Sequence, residues 1–178
     1  MRISGIRQQS HDPLFGILAP AEDEMAFLRF FGILKRLSYP LQVVVADDRS
    51  SLHLALKQVY PGIPLQLCQN HYLENIRQAL HVRTDFTHQH FFNSLKKHIF
   101  DEYENDEQLN TALHQVLTER SEHLLIRQTI VMAIHHRRKE LFAYKDISNC
   151  PNNTNLIELF NSHFNARLKA IKGFKTKE

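Results

Sequence analysis

Two adjacent acids stand where an apolar run ends, and this is a position from which a carboxylate can bind a metal ion. Asp47 and Asp48 follow residues 41–46, a run rich in β-branched side chains. That run predicts a central strand covered on both faces. Ligands of open α/β sheets bind at the carboxyl ends of strands, which makes Asp47 a candidate metal ligand. The same residues also suit a loop whose polar groups cap the next helix.

A further acid, Glu158, stands in the first turn of the last predicted helix. It follows Asn155 by three residues, the spacing of a capping box. Beyond it, Ser162, Asn165 and Lys169 continue one polar stripe along the helix. The stripe fits a functional face and equally fits an ordinary face exposed to solvent.

Cys68 and His71 have the Cys-x-x-His spacing of a zinc half-site at a turn from strand to helix. A closed structural zinc site needs four ligands, so Cys150 or another of the twelve histidines would have to complete it. The alternative is a small buried thiol beside a histidine that caps a helix. Two cysteines give no disulfide framework, so the sequence predicts a reducing, cytoplasmic setting.

The positive charge is concentrated near the end of the chain. The formal net charge is only +3, which does not by itself indicate a nucleic-acid partner. The candidates for phosphate contacts are Arg167, Lys169, Lys172 and Lys175. Cations at the end of a helix also oppose its dipole, so both interpretations stay open. The densest basic run, residues 135–139, is typical of a solvated helix face.

The elements that must position these residues are predicted in the order β-β-α-β-α-β-α. Residues 2–8 and 14–18 flank an Asp-Pro turn and predict a hairpin. A helix then begins after Pro20 and ends with Lys35 and Arg36, because acids occupy its first turn and cations its last. After the strand at 41–46, the pattern predicts a helix over 51–60, a strand over 63–67 and a helix over 71–82. This order predicts an α/β fold.

Residues 83–149 predict a helical block, since residues 83–145 contain neither glycine nor proline. Helices are expected over 88–103 and within 106–144, and a breaker cluster at 149–155 precedes the last helix. The expected organisation is residues 1–82 as the first part of a core, 83–149 as a helical insertion and 150–178 as the returning helix. The longest apolar run is far shorter than the ~20 residues of a membrane span, so no membrane helix is expected.

Two separated motifs resemble those of Mutator-like transposases. The first begins at Val43 and reads Val-Val-Val-Ala-Asp, then Val-Tyr-Pro-Gly, then Gln-Leu-Cys-Gln-Asn-His, ending near Ile76. The second reads Asn-Thr-Asn-Leu-Ile-Glu-Leu-Phe-Asn from Asn153, ahead of Lys-Gly-Phe at 172–174. The order of elements resembles the family along the whole chain, whereas specific motifs cover only residues 43–76 and 150–175.

This resemblance implies a DDE transposase domain, which cuts and joins DNA with Mg²⁺ or Mn²⁺. The implied fold is RNase H-like, with a mixed sheet, flanking helices and an all-helical insertion. The resemblance makes Asp47 and Glu158 the catalytic, metal-binding acids. Asp48 stands where the family has glycine, which makes it a second candidate for facing the metal. The implied partners are transposon-end and target DNA and, in the full-length family, further copies of the chain.

The family's first catalytic aspartate lies on a strand that precedes the hairpin. Residues 2–8 already match the hairpin's first strand, so that earlier strand is expected to be missing from residues 1–178. Asp12 belongs to the Asp-Pro turn and does not replace the missing acid. The expectation is therefore a truncated insertion-sequence transposase domain that is inactive alone.

Two other functions remain open from the sequence. One is a noncatalytic helical module that binds DNA or a protein through basic residues at 135–139 and 167–177. The other is a domain stabilised by zinc at Cys68 and His71. The separation of Asp47 and Glu158 discriminates between the binding module and the metal-dependent enzyme, whereas the zinc-stabilised domain requires Cys150 or another histidine within bonding range of Cys68 and His71. Carboxylates more than roughly 10 Å apart could not share a Mg²⁺ ion with ligand distances near 2.1 Å.

Overall fold

The fold is a mixture of short strands and longer helices. The computed structural model describes residues 2–6, 10, 12–118 and 124–172, including their side chains except at 2–4, 13, 124 and 168–172. The described strands and helices, in chain order, are β1 (Arg2–Ile6), β2 (Pro13–Leu18), α1 (Glu24–Arg36), β3 (Val44–Ala46), α2 (Ser50–Val59), β4 (Leu65–Leu67), α3 (Gln69–Ala79), α4 (Gln89–Leu95), α5 (Asp106–Thr118), α6 (Leu124–Leu141) and α7 (Asn155–Lys172). The predicted α/β order is confirmed up to α3.

The strands pair in two different ways. β1 and β2 form the predicted antiparallel hairpin, with Ile3 opposite Ile17. β3 and β4 pair in parallel, with Val44 opposite Leu65, and α2 makes the crossover between them. A parallel pair needs such a crossover because its strands run in the same direction.

The sheet differs from the sequence prediction in extent. Within the described residues the two strand pairs form separate two-stranded sheets, whereas one mixed sheet was predicted. The strand predicted over 41–46 comprises only Val44–Ala46, and only Ala46 in it is buried. The difference arises because, in the part of the chain that the structure describes, β3 is paired with a strand on one side only. A groove borders its other side, so its valines are not enclosed as a central strand would be.

The first hydrophobic core lies between α1 and α2. Asp23 caps α1, its carboxylate accepting the Ala26 backbone N–H at 2.8 Å. Helical spacing then directs one apolar face of α1 inward, where it packs on α2 and on Ile17 of β2. The buried residues of this core include Phe27, Phe30, Phe31, Leu34, Leu52, Ala55 and Leu56.

The second core belongs to the helical block. The segment predicted as helical at 88–144 is observed as α4, a π-helical turn at Lys96–Asp101, α5 and α6. Leu95, Ile99 and Ile134 are fully buried there. Leu67 of β4 and Ile76 of α3 belong to the same core, so the block packs directly on the α/β part. No helix in the described ranges is long and apolar enough to cross a membrane.

Two buried glutamines link β4 and α3 to the end of α6. The Gln66 side chain donates to the Leu141 carbonyl at 2.9 Å and accepts the Tyr144 N–H at 2.7 Å. The Gln69 side chain also donates to Leu141, at 2.9 Å. Asn152 donates its side-chain amide to Gln69 at 3.0 Å and accepts the Gln69 backbone N–H at 2.9 Å. These bonds fix the loop before α7 against the start of α3.

Substitution of the fully buried Gln66 by leucine tests this link. We expect Gln66→Leu to lower the free energy of unfolding by about 1–3 kcal/mol, because the half-buried Tyr144 N–H loses its acceptor and the Leu141 carbonyl loses one of its donors. Urea unfolding followed by circular dichroism measures the change. The control is Gln78→Leu at an exposed position of α3, which should alter stability far less. Equal losses in the two variants would contradict a specific role for Gln66.

Candidate active site

Parallel pairing brings the residues that follow β3 and β4 to the same edge. Ala46 is opposite Leu67, and the Cys68 N–H continues the ladder by donating to the Ala46 carbonyl at 2.8 Å. Asp47 and Cys68 therefore leave the two strands side by side. His71, in the first turn of α3, reaches back over this edge. Its Nδ1 lies 2.8 Å from Asp47 Oδ1 and 3.2 Å from Cys68 Sγ.

Glu158 joins this edge from the far end of the chain. The Thr154 carbonyl accepts the Glu158 backbone N–H at 3.1 Å, which starts α7 and points its first turn toward α3. Glu158 Oε1 lies 3.8 Å from the His71 Nδ1. Asp47 Oδ1 contacts the same nitrogen at 2.8 Å, so the two carboxylate oxygens are at most about 6.6 Å apart. The structure thus brings together the two acids that the sequence singled out.

Thr154 connects these groups, and the sequence reasoning missed it as a site residue. It is buried, and its Oγ1 lies 2.5 Å from Glu158 Oε1 and 3.2 Å from Cys68 Sγ. A hydroxyl has one proton to donate, and a carboxylate is the stronger acceptor. The hydroxyl therefore donates to Glu158 and can accept the proton of the Cys68 thiol. The signal in the sequence that could have identified Thr154 is its position between Asn153 and Asn155, shortly before Glu158.

Asp48 turns to different partners. Its Oδ1 contacts Arg137 Nη2 of α6 at 2.5 Å and lies 3.5 Å from His53 Nε2 of α2. Arg137 also pairs with Glu140, with 2.7 Å between Nε and Oε2. The structure therefore places Asp48 in an ion-pair cluster that joins the loop after β3 to the helical block.

The surroundings of His53 disfavour its charged form. Burial is the larger cause of its lowered pKa, and the Arg137 guanidinium adds to it, whereas Asp48 and Glu140 oppose the shift. Burial also raises the pKa of the neighbouring Tyr72 hydroxyl, and the Asp48 carboxylate adds to that shift. Neutral His53 is thus compatible with a cationic Arg137 beside it.

The basic candidates fall in two places. Arg167 is exposed on α7, whereas the side chains of Lys169 and Lys172 and the whole of Lys175 lie outside the described residues. In the run at 135–139, Arg137 is paired with Asp48, and Arg138 Nη1 contacts His135 at 3.0 Å. Part of the densest basic run is therefore engaged within the protein.

The four-ligand zinc site considered from the sequence is not formed by the described residues. In that part of the chain, the cluster of Asp, Glu, His and Cys ligand atoms within 4.8 Å of one another comprises Asp47, Cys68 and His71. Cys150 is half-buried and directs its thiol to the Pro151 carbonyl at 3.6 Å. The third member of the cluster is an aspartate, which the Cys-x-x-His spacing alone did not indicate.

A groove of about 740 Å³ opens beside this edge. Its walls come from β1, from residues 39–47 and from the first turns of α7, and Phe27, Phe30 and Phe31 of α1 contribute apolar surface. Asp47, Glu158 and His71 also line it. The acids are thus accessible to a ligand, with side chains 38% and 51% exposed for Asp47 and Glu158.

The family model described as "Transposase, Mutator family" matches residues 4–178. No curated protein and no solved structure matches the chain.

The His53 cluster yields a prediction that can be measured without any ligand. The His53 pKa should lie below its ordinary value of 6.5 in a proton-titration NMR experiment, and Arg137→Gln should raise it by removing a nearby positive charge. Because the folded-state pKa is lowered, neutral His53 favours the folded state. Its contribution to stability is present above pH 6.5 and decreases as the pH falls through the folded-state pKa.

The matched control for this titration is Arg138→Gln. Arg138 neighbours Arg137 in sequence but contacts His135 and Asp106, so its replacement should leave the His53 titration unchanged. An Arg137→Gln variant that titrates at the same pH as the wild type would contradict the proposed electrostatic cause.

Proposed function

The chain belongs to the Mutator family of transposases, and on this premise we propose that it contributes two acids to a metal-dependent site for DNA strand cleavage and transfer. The observation that carries the proposal is the convergence of Asp47 and Glu158. These residues come from opposite ends of the sequence, yet their carboxylate oxygens lie within about 6.6 Å of each other. This distance falls inside the limit of roughly 10 Å for sharing one Mg²⁺ ion.

The donor atoms suit Mg²⁺ or Mn²⁺. Both ions prefer oxygen ligands, and Mg²⁺ usually keeps several of its waters. Asp47 and Glu158 supply carboxylate oxygens that are partly exposed to the groove, which leaves room for water and for a phosphate. In such sites, paired cations about 3.5–4 Å apart activate the attacking oxygen and stabilise the leaving oxygen of an in-line displacement at phosphorus.

The other residues at this edge hold the two acids in place. The His71 Nδ1–H donates to Asp47, and the Thr154 hydroxyl donates to Glu158. The Asp48–Arg137 ion pair restrains the same loop from the side of α6. Each carboxylate is therefore oriented by a hydrogen bond before any ligand arrives, which reduces the reorganisation that binding requires.

The RNase H-like fold is part of the same proposal. Three features support it: the position of Asp47 at the carboxyl end of a parallel strand, the helical block between α3 and α7, and the groove between β1 and β3. One further strand in that groove would unite the two strand pairs in a single mixed sheet. Such a strand could also supply a third acid beside Asp47 and Glu158.

The proposed partner is DNA, and the cations of α7 are the proposed phosphate contacts. Arg167 is exposed on α7, the helix that carries Glu158. Assembly with further copies of the chain on transposon ends is proposed from the family resemblance alone. A noncatalytic DNA-binding module remains the alternative outcome of the experiments below.

A nicking assay tests the acids. Among the described residues, Asp47 and Glu158 are the two acids proposed to hold the metal, so we expect residues 1–178 to hold fewer than two cations and to bind DNA without cutting it. A version extended at its amino end by one strand carrying an aspartate should nick terminal-repeat DNA with Mg²⁺ or Mn²⁺. Asp47→Asn or Glu158→Gln should abolish that activity.

The matched control is Asp101→Asn, at an exposed acid that pairs with Lys96, and it should retain nicking. Efficient cutting by residues 1–178 would show that a further acid is unnecessary. If the extended protein binds DNA but never cuts it, the noncatalytic module is the better description.

A salt titration tests the cations of α7. The combined variant Arg167→Ala and Lys169→Ala should weaken duplex binding and reduce the slope of log K against log salt concentration by about 0.9 for each lost phosphate contact. The control is Lys57→Ala at an exposed position of α2, which should leave the slope unchanged. An unchanged slope in the combined variant would show that these cations do not contact phosphates and would favour the alternative, in which they oppose the helix dipole.

A further inference from the structure

The cluster beside Asp47 carries softer ligands than Mg²⁺ requires. Cys68 Sγ and Asp47 Oδ1 both contact the His71 Nδ1, at 3.2 and 2.8 Å, and the three atoms lie within 4.8 Å of one another. In a tetrahedral zinc site, bond lengths of roughly 2.0–2.3 Å place neighbouring ligand atoms about 3.3–3.6 Å apart. Only small adjustments separate the observed contacts from that arrangement.

We propose that Asp47, Cys68 and His71 form a binding site for Zn²⁺ that is separate in chemistry from the Mg²⁺ function. The thiolate, imidazole and carboxylate are the three ligand types that Zn²⁺ takes in proteins. Glu158 lies beside these three ligands, with its Oε1 3.8 Å from the His71 Nδ1. Three protein ligands with one further position are typical of zinc sites that accept another ligand.

The protons of His71 and Cys68 can be moved or released so that both side chains bind Zn²⁺. Zn²⁺ needs the Nδ1 lone pair, so binding moves the imidazole proton to Nε2, and the Cys68 thiol releases its proton to solvent. The Thr154 hydroxyl lies 3.2 Å from Cys68 Sγ, so on zinc binding its single proton can turn from Glu158 to the resulting thiolate. Such a hydrogen bond from outside the ligand set orients the ligand and strengthens binding.

The ion has a route to the cluster. Although Cys68 is only 1% exposed, the side chains of Asp47 and His71 are 38% and 40% exposed and line the groove. Zn²⁺ can therefore meet the carboxylate and the imidazole first and then engage the thiol. A bound Zn²⁺ would occupy Asp47, and, where the proposed function also holds, it would compete with Mg²⁺ for that residue.

Cobalt absorption spectroscopy tests the site on residues 1–178 without DNA. Co²⁺ takes the tetrahedral positions of Zn²⁺ and gives a thiolate-to-metal charge-transfer band when cysteine is a ligand. We expect this band to saturate at one equivalent of Co²⁺ and to disappear when Zn²⁺ is added. Cys68→Ser should eliminate the band, and His71→Ala or Asp47→Asn should weaken Co²⁺ binding by at least about tenfold.

The matched control is Cys150→Ser, which removes the protein's other thiol and should retain the full band. A band that persists in Cys68→Ser, is lost in Cys150→Ser or never forms in the wild type would overturn the proposal. Circular dichroism checks the fold of each variant. As a second measurement, Zn²⁺ should raise the melting temperature of the wild type but not of His71→Ala, and equal shifts would also overturn it.

These outcomes are independent of strand cleavage. Failure of the nicking assay leaves the cobalt spectrum unaffected, and absence of the cobalt band leaves Mg²⁺-dependent nicking by the extended protein unaffected. The proposal of metal-dependent strand cleavage and the proposal of a zinc site are therefore tested independently.

Discussion

The parallel pairing of β3 with β4 is the constraint on which the rest of the candidate site depends. Opposition of Ala46 and Leu67 places the next residue of each strand, Asp47 and Cys68, at one edge. A shift of this register by one residue would exchange the faces of the strand and separate the two side chains. The buried Leu67 and Gln66 maintain the register, because one packs into the helical core and the other bonds to Leu141.

Much of this arrangement follows from local sequence signals. Helical spacing, the Asp-Pro turn and Pro61-Gly62 place the elements up to α3, and the lack of glycine and proline over 83–145 places the helical block. The convergence of Asp47 and Glu158 followed from family motifs and not from periodicity. Their roles in catalysis and metal binding remain predictions.

The features that the sequence did not predict depend on contacts between distant segments. No local pattern shows that Arg137 of α6 pairs with Asp48, or that Thr154 reaches both Cys68 and Glu158. The short extent of β3 was not predicted for the same reason. A run of valines has the same sequence pattern whether its strand is paired on one side or on both. Side-chain partners and strand neighbours are tertiary properties. The sequence determines them, but no local pattern in a single sequence reveals them.

The position of the helical block also bears on how its size can vary. The block lies on the long segment between His71 and Thr154, whose ends are already held together by Gln69 and Asn152. The entropy of closing such a segment grows only with the logarithm of its length, at about 0.6 kcal/mol for each doubling. Related chains can therefore lengthen or shorten α5 at little thermodynamic cost, provided that the carbonyl of Leu141 still accepts the hydrogen bonds of the two glutamines.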